Sequence, residues 1–282
     1  GDAGEPECPQ LFLADGRAYL VASLYDRAVG GPTYWFADGP RGPWHADVRH
    51  VLDGKDLCAA QVAWDGRRWL LMGWVPEEPA RPGAQHWGGH LALPRELFVL
   101  PDGRLGTRLP SDLSVALRGE RIDCAGEEPE LPGPVDLSCD WKPNDENDRL
   151  ELVFAVLPGN PPRSPLDTVD RSEGSETSDR FVSEPAVSVV LADGKLSIVD
   201  QREEVWSEIA CPELWDARES KPVEVRCILD RDIVEVFVAS RWSLVARVPH
   251  PLERFQWTVR ECAPASRERL DRRAHQVRQV GD

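Results

Sequence analysis

Leu11-Phe12-Leu13-Ala14-Asp15-Gly16-Arg17-Ala18-Tyr19-Leu20-Val21-Ala22 sets an Asp-Gly pair between two short apolar runs. Glycine accepts the positive φ of a two-residue type I′ turn, so this pattern is a strong short-range hairpin signal. The same dipeptide recurs at 38–39, 53–54, 65–66, 102–103 and 193–194. Gln61-Val62-Ala63-Trp64 and Arg68-Trp69-Leu70-Leu71 flank the fourth occurrence. Short strands closed by tight turns at this spacing predict an all-β fold. Helical periodicity is nearly absent before the C-terminus.

The chain divides near residue 112. Before it, dense tryptophans and tight hairpins predict the blades of a β-propeller, each a four-stranded sheet. Ser111 to Arg118 is a helical candidate. Beyond it, Arg149-Leu150-Glu151-Leu152-Val153-Phe154, Val187-Ser188-Val189-Val190-Leu191, Val223-Glu224-Val225-Arg226-Cys227-Ile228 and Ile233-Val234-Glu235-Val236-Phe237 read as strands. The alternation in the last two gives one buried and one charged face, as in sheets packed in pairs. The expected organisation is propeller blades over 1–112, a β-sandwich over 113–264 and a basic tail over 265–282. Residues 158–180, rich in Pro, Ser, Asp and Glu, read as a solvated loop. Leu270, Ala274 and Val277 fall on one helical stripe among arginines, which reads as a frayed tail, with a docking helix as the alternative.

With 282 residues the chain can bury one large core or two moderate ones. Its 41% apolar and 29% charged residues are the profile of a soluble globular protein. No apolar run approaches the ~20 residues of a membrane-spanning helix. A net charge of -16 argues against nucleic acid, since phosphate binding needs a basic face. Seven scattered cysteines show no zinc-ligand spacing, so no metal is expected. The odd set leans towards a reducing, cytoplasmic compartment. In an oxidising one, Cys124 with Cys139 and Cys211 with Cys227 are candidate pairs. The sequence opens on Gly1 and its only methionine is Met72, so the true start is expected upstream and export stays open.

Five separated stretches carry a likeness. They are Glu5-Pro6-Glu7-Cys8-Pro9-Gln10-Leu11-Phe12, Leu57-Cys58-Ala59-Ala60-Gln61, Arg67-Arg68-Trp69-Leu70-Leu71-Met72-Gly73-Trp74, Leu93-Pro94-Arg95-Glu96-Leu97 after Trp87-Gly88-Gly89-His90, and Asp230-Arg231-Asp232-Ile233-Val234-Glu235-Val236-Phe237. In this order they resemble the later signatures of glycoside hydrolase family 32, the retaining β-fructosidases (invertases, inulinases, levanases). The resemblance implies a five-bladed propeller followed by a β-sandwich. Residues 1–110 would then be the last two to three blades, and the earlier blades would be missing partners. It implies that Glu7 is the general acid/base, that Glu5 hydrogen-bonds fructosyl hydroxyls and that Trp74 lines the fructose pocket. Leu52-Asp53-Gly54-Lys55-Asp56 departs from the family's Asp-Tyr or Asp-His pair, and Cys58 replaces its usual Tyr. No metal or organic cofactor is implied.

Retaining glycosidases need two carboxyls, one as nucleophile and one as acid/base. The acid must keep its proton near neutral pH, through burial or a nearby like charge. Glu5 and Glu7 alternate along an extended segment and can face one side of it. The nucleophile is another matter. The family's Asn-Asp-Pro-Asn and Arg-Asp-Pro motifs are absent, and Arg231-Asp232 is followed by Ile233. A positioned acid is worth ~10²–10⁴ in rate, against the ~10⁶–10¹⁷ of whole enzymes. The chain alone is therefore expected to be inactive. The implied reaction is hydrolysis of terminal β-fructofuranosides, sucrose or a fructan, with retention. Two alternatives stay open: a noncatalytic carbohydrate-binding or interaction protein derived from such an enzyme, and a fructosyltransferase. Of Trp35, Trp44, Trp64, Trp69 and Trp74, only Trp74 is read as facing a ligand, since most such tryptophans pack between blades.

Overall fold

The computed structural model describes residues 6–25, 30–46, 50–77, 88–122, 130–132, 134–143, 148–157, 186–216, 222–249, 252, 254–262 and 276–280. Strands dominate throughout, and the fold is all-β. Among the described residues no helix is long and apolar enough to cross a membrane.

Strands β1 (Glu7–Ala14), β2 (Arg17–Tyr25) and β3 (Gly30–Ala37) form an antiparallel three-stranded sheet. Asp15 and Gly16 join the first two with φ of 45° and 78°, the backbone of the anticipated type I′ turn. Alternation sends Phe12, Tyr19, Val21 and Tyr34 to one buried face. The second sheet holds β4 (Cys58–Trp64), β5 (Trp69–Pro76), β6 (Gly89–Leu91), β7 (Arg95–Val99) and β8 (Leu105–Arg108). Its order is β4-β5-β7-β8, with β6 paired to β5. Val62, Leu71 and Leu97 meet the buried face of the first sheet in one apolar cluster.

The helix α1 (Ser111–Ala116) follows, within the segment expected to be helical. The rest builds two antiparallel sheets. One runs β10 (Glu130–Pro132), β19 (Arg254–Cys262), β12 (Arg149–Val156), β13 (Ala186–Ala192), β14 (Lys195–Asp200) and β15 (Val205–Ala210). The other runs β18 (Trp242–Arg247), β17 (Ile233–Val238), β16 (Val223–Asp230), β11 (Val135–Trp141), β20 (Gln276–Val280) and β9 (Arg118–Ile122). A short helix, α2 (Glu213–Asp216), follows β15. The two sheets share one core: Phe154 and Phe255 from the first meet Leu137, Val225 and Val236 from the second.

Several expectations need correction. Asp38-Gly39 and Asp53-Gly54 do not join hairpin strands; among the described residues the chain after β3 returns along it through the bridges Phe36↔His45 and Thr33↔Val51, with Tyr34 N donating to the His50 carbonyl and Leu52 N to the Pro32 carbonyl. Of the helical stripe at 265–280, the end is β20, hydrogen-bonded between β11 and β9; residues 263–275 lie outside the described residues. So does the loop at 158–180. Cys211 and Cys227 are free and buried, hence not joined to one another; Cys124, the candidate partner of Cys139, lies outside the described residues. Burial pushes the Cys211 thiol up to about 12.

Candidate functional site

Glu7 opens β1 and is exposed, paired in register with Ser23 of β2. The register then slips between Glu7 and Gln10, and Cys8 takes a φ of 50°. The second sheet repeats this arrangement. Cys58 opens β4 opposite Trp74, the register slips between Cys58 and Gln61, and Ala59 takes a φ of 47°. An extra residue with left-handed backbone is a β-bulge, which bends a strand and re-aims its first side chains. Such positions in non-glycine residues cost ~1–3 kcal/mol and persist only where the surroundings enforce them.

The two bulged strands are neighbours. The Ser23 Oγ accepts the Ala60 N–H at 3.3 Å, and the Gln10 Oε1 accepts the Val62 N–H. Glu7–Ser23 and Cys58–Trp74 are thus register pairs at one end of the two sheets, linked by the Ser23–Ala60 hydrogen bond and the backbone step from Ala60 to Cys58. Trp74 is half-buried. Gly89 explains how its ring is seated: a Cβ there would overlap the Val75 carbonyl and come within 2.9 Å of Trp74 Cε3. Gly89 also has a φ of 147°, so only glycine lets β6 close over the indole. Glu5 and Trp87 lie outside the described residues. Among those described, no group of three or more His, Cys, Asp or Glu could hold a metal.

The motifs centred on Arg95 and Glu235 do something the sequence did not disclose. Asp53, Arg95 and Glu235 form one buried ionic joint between the second sheet and the later sheets. Arg95 Nε donates to Asp53 Oδ2 at 3.0 Å, and Arg95 Nη1 lies 2.6 Å from Glu235 Oε2. Asp53 further accepts from Gly54 N, Val245 N and Ser243 Oγ, each at 2.8 Å, and Glu235 from Leu93 N at 2.7 Å. Gly54 permits this approach, because a Cβ there would overlap Ser207 Oγ and Leu244 Cδ1. Burial works against the Arg95 charge, but Glu235 and Asp53 outweigh it and hold its pKa up. One cation facing two carboxylates leaves a surplus negative charge. Burial accordingly raises the Glu235 pKa despite the pull of Arg95 and the Leu93 N–H. Asp53, read from sequence as a turn residue in a segment that departs from the family's pattern, is a structural anchor.

The chain superposes on the family 32 β-fructofuranosidase of Bombyx mori with a TM-score of 0.61 at 17% identity, over 98% of this chain and 54% of that one. It superposes on the exo-inulinase of Aspergillus awamori at 0.56, with 14% identity, over 100% of this chain and 59% of that one. For fructan 1-exohydrolase IIa of Cichorium intybus the values are 0.51 and 14%, over 99% and 62%. In sequence, a cell wall isozyme of β-fructofuranosidase from Zea mays is 30% identical over 108 residues, 37% of this chain and 18% of that one. No family model matches the chain. The chain resembles the glycoside hydrolase family 32 fructosidases and shares their fold. It spans little more than half the length of those solved structures.

Proposed function

We propose that this chain is the later part of a retaining β-fructofuranosidase. In that reading Glu7 protonates the departing sugar oxygen, Glu5 binds fructosyl hydroxyls and Trp74 lines the pocket. Residues 1–112 are the last blades of a propeller and 113–264 its β-sandwich. The covalent carboxylate comes from blades encoded upstream, and terminal β-fructofuranosides such as sucrose or a fructan are the substrates. The observation that carries this reading is the shared bulge geometry at Glu7 and Cys58, which brings the acid candidate and Trp74 to one end of adjacent sheets.

The outer faces of the two sheets support it. Leu11 and Leu13, 52% and 61% exposed, lie on the face of the first sheet opposite Phe12. Met72 and Leu91, 42% and 83% exposed, lie on the far face of the second; Leu91 is the register partner of Trp74. Apolar residues set out along both outer faces suit further sheets stacked on either side. Such sheets would also cover Glu7 and supply the burial and the facing carboxylate that a proton donor needs.

The test is hydrolysis of sucrose and inulin by the full-length parent and its Glu7→Gln variant. A drop of about 10²-fold or more is expected; parental rates would remove Glu7 from the mechanism. A second reading, a noncatalytic carbohydrate-binding relic, is favoured by the exposure of Glu7 in this chain. DNA upstream of the Gly1 codon separates the two. An open frame encoding Asn-Asp-Pro-Asn and Arg-Asp-Pro belongs to the enzyme, and a start codon at that point belongs to the relic.

A further inference from the structure

A cavity of about 580 Å³ opens where the second sheet, α1 and the β16–β17 hairpin meet. Its size falls within the ~300–1,000 Å³ of small-molecule sites, and neither Glu7 nor Trp74 lines it. Arginines 67, 68, 108 and 226 do, with Glu96 and Glu224. Most of these cations are already engaged. Arg226, 8% exposed, donates to both Asp136 oxygens at 2.7 and 2.6 Å and to Ser114 Oγ at 2.5 Å. Arg68 donates to Asp112 at 2.7 Å and to Asp65 at 3.1 Å. Arg108 is paired with Glu96.

These pairings decide the chemical class of the ligand. A phosphate or sulfate binds where cationic charge is unspent, and three of the four guanidiniums here face carboxylates. An apolar ligand would strand the remaining N–H and carboxylate groups without water, at a cost for each. What remains is a ligand that donates and accepts at closely spaced points while adding no charge, which describes hydroxyls. Arg67 and Glu224 are suited to clamp such a ligand, for both are exposed and neither is ion-paired among the described residues. Leu109 and Phe237 add an apolar patch for its C–H face. We propose that this cavity binds a neutral polyhydroxylated molecule, a mono- or disaccharide, at a place separate from Glu7. The inference rests on the cavity lining and stands whether or not the chain is part of an enzyme.

The experiment is calorimetric titration of the intact chain with sucrose, fructose and glucose, with sodium phosphate as the charged control. Saccharide binding is expected, weakened about tenfold by Glu224→Gln and by Arg67→Gln and unchanged by Arg202→Gln, an exposed position outside the cavity lining. Both cavity substitutions are at exposed positions, and an unchanged melting temperature verifies that each variant is folded. Saccharide binding lost in Glu7→Gln but kept in both cavity variants would overturn this proposal while leaving the fructosidase reading intact. Absence of saccharide binding, or phosphate binding that excludes saccharide, would overturn it as well.

Discussion

The sheets before α1 and those after it are built from the same alternating strands, yet they finish their burial differently. The later pair closes on itself, with Leu137, Leu152, Phe154, Val225, Val236 and Phe255 all but inaccessible to solvent. The earlier pair shares one apolar interface and leaves both outer faces open, with Leu11, Leu13, Met72 and Leu91 exposed. Alternation gives a sheet an apolar face, but only a second layer gives that face somewhere to go. The later sheets contain their own second layer. The earlier ones have half of theirs, and they lean on the later sheets through Asp53, Arg95 and Glu235.

The largest effect is expected from cutting that support. Arg95→Leu strands two carboxylates in a dry joint and should cost about 3–5 kcal/mol in urea unfolding. The early sheets should melt first. A single unaltered transition would mean that the two regions do not depend on each other there. A smaller, pH-dependent effect comes from Glu235. Its folded pKa is raised above the ordinary 4.5 by burial, so the folded chain holds the proton more tightly than the unfolded one. The stability contributed by Glu235 is therefore complete below 4.5 and is lost as pH rises through the raised value. Glu235→Gln should flatten that slope in melts across about pH 4 to 8; a slope identical to wild type would assign it to other groups. The smallest effect belongs to the open faces. Leu11→Ser with Leu13→Ser should shift stability by no more than about 0.5 kcal/mol while reducing self-association in sedimentation. A larger loss of stability would place those leucines in a core.

Where the chain states its geometry locally, the sequence was readable. Asp15-Gly16 and Asp193-Gly194 carry turn chemistry in the residues themselves, and both form hairpins with two positive φ values. The strands from 149, 187, 223 and 233 were legible from their apolar residues, but the charged face expected of the last two is itself buried, with Arg226 and Glu235 8% and 5% exposed. Ala239-Ser240, within the link from Val238 to Trp242, also takes left-handed backbone, with φ of 53° and 49°, but neither residue favours it. Tertiary pairing of β17 with β18 imposes it. The ionic joint was hidden for another reason. Asp53, Arg95 and Glu235 are distant in sequence, and nothing in a one-dimensional pattern tells which cation meets which carboxylate. At the candidate site, Glu7 and Trp74 could be picked out by likeness. The paired bulges that bring them to one end could not, because Cys8 and Ala59 are poor advertisements for left-handed backbone.

The position of β20 governs how the later sheets can assemble. Among the described residues β9 is hydrogen-bonded into its sheet through β20, with Ile122 opposite Val277 and Arg118 opposite Val280. The polypeptide just past α1 must therefore wait, unpaired, for a segment made long after it, and that closure carries the entropy of a very large loop. Amide exchange in β9 should accordingly report on the far end of this sequence rather than on its own neighbours. In kinetic terms, two strands that lie side by side here are the first and last of their sheet to be made.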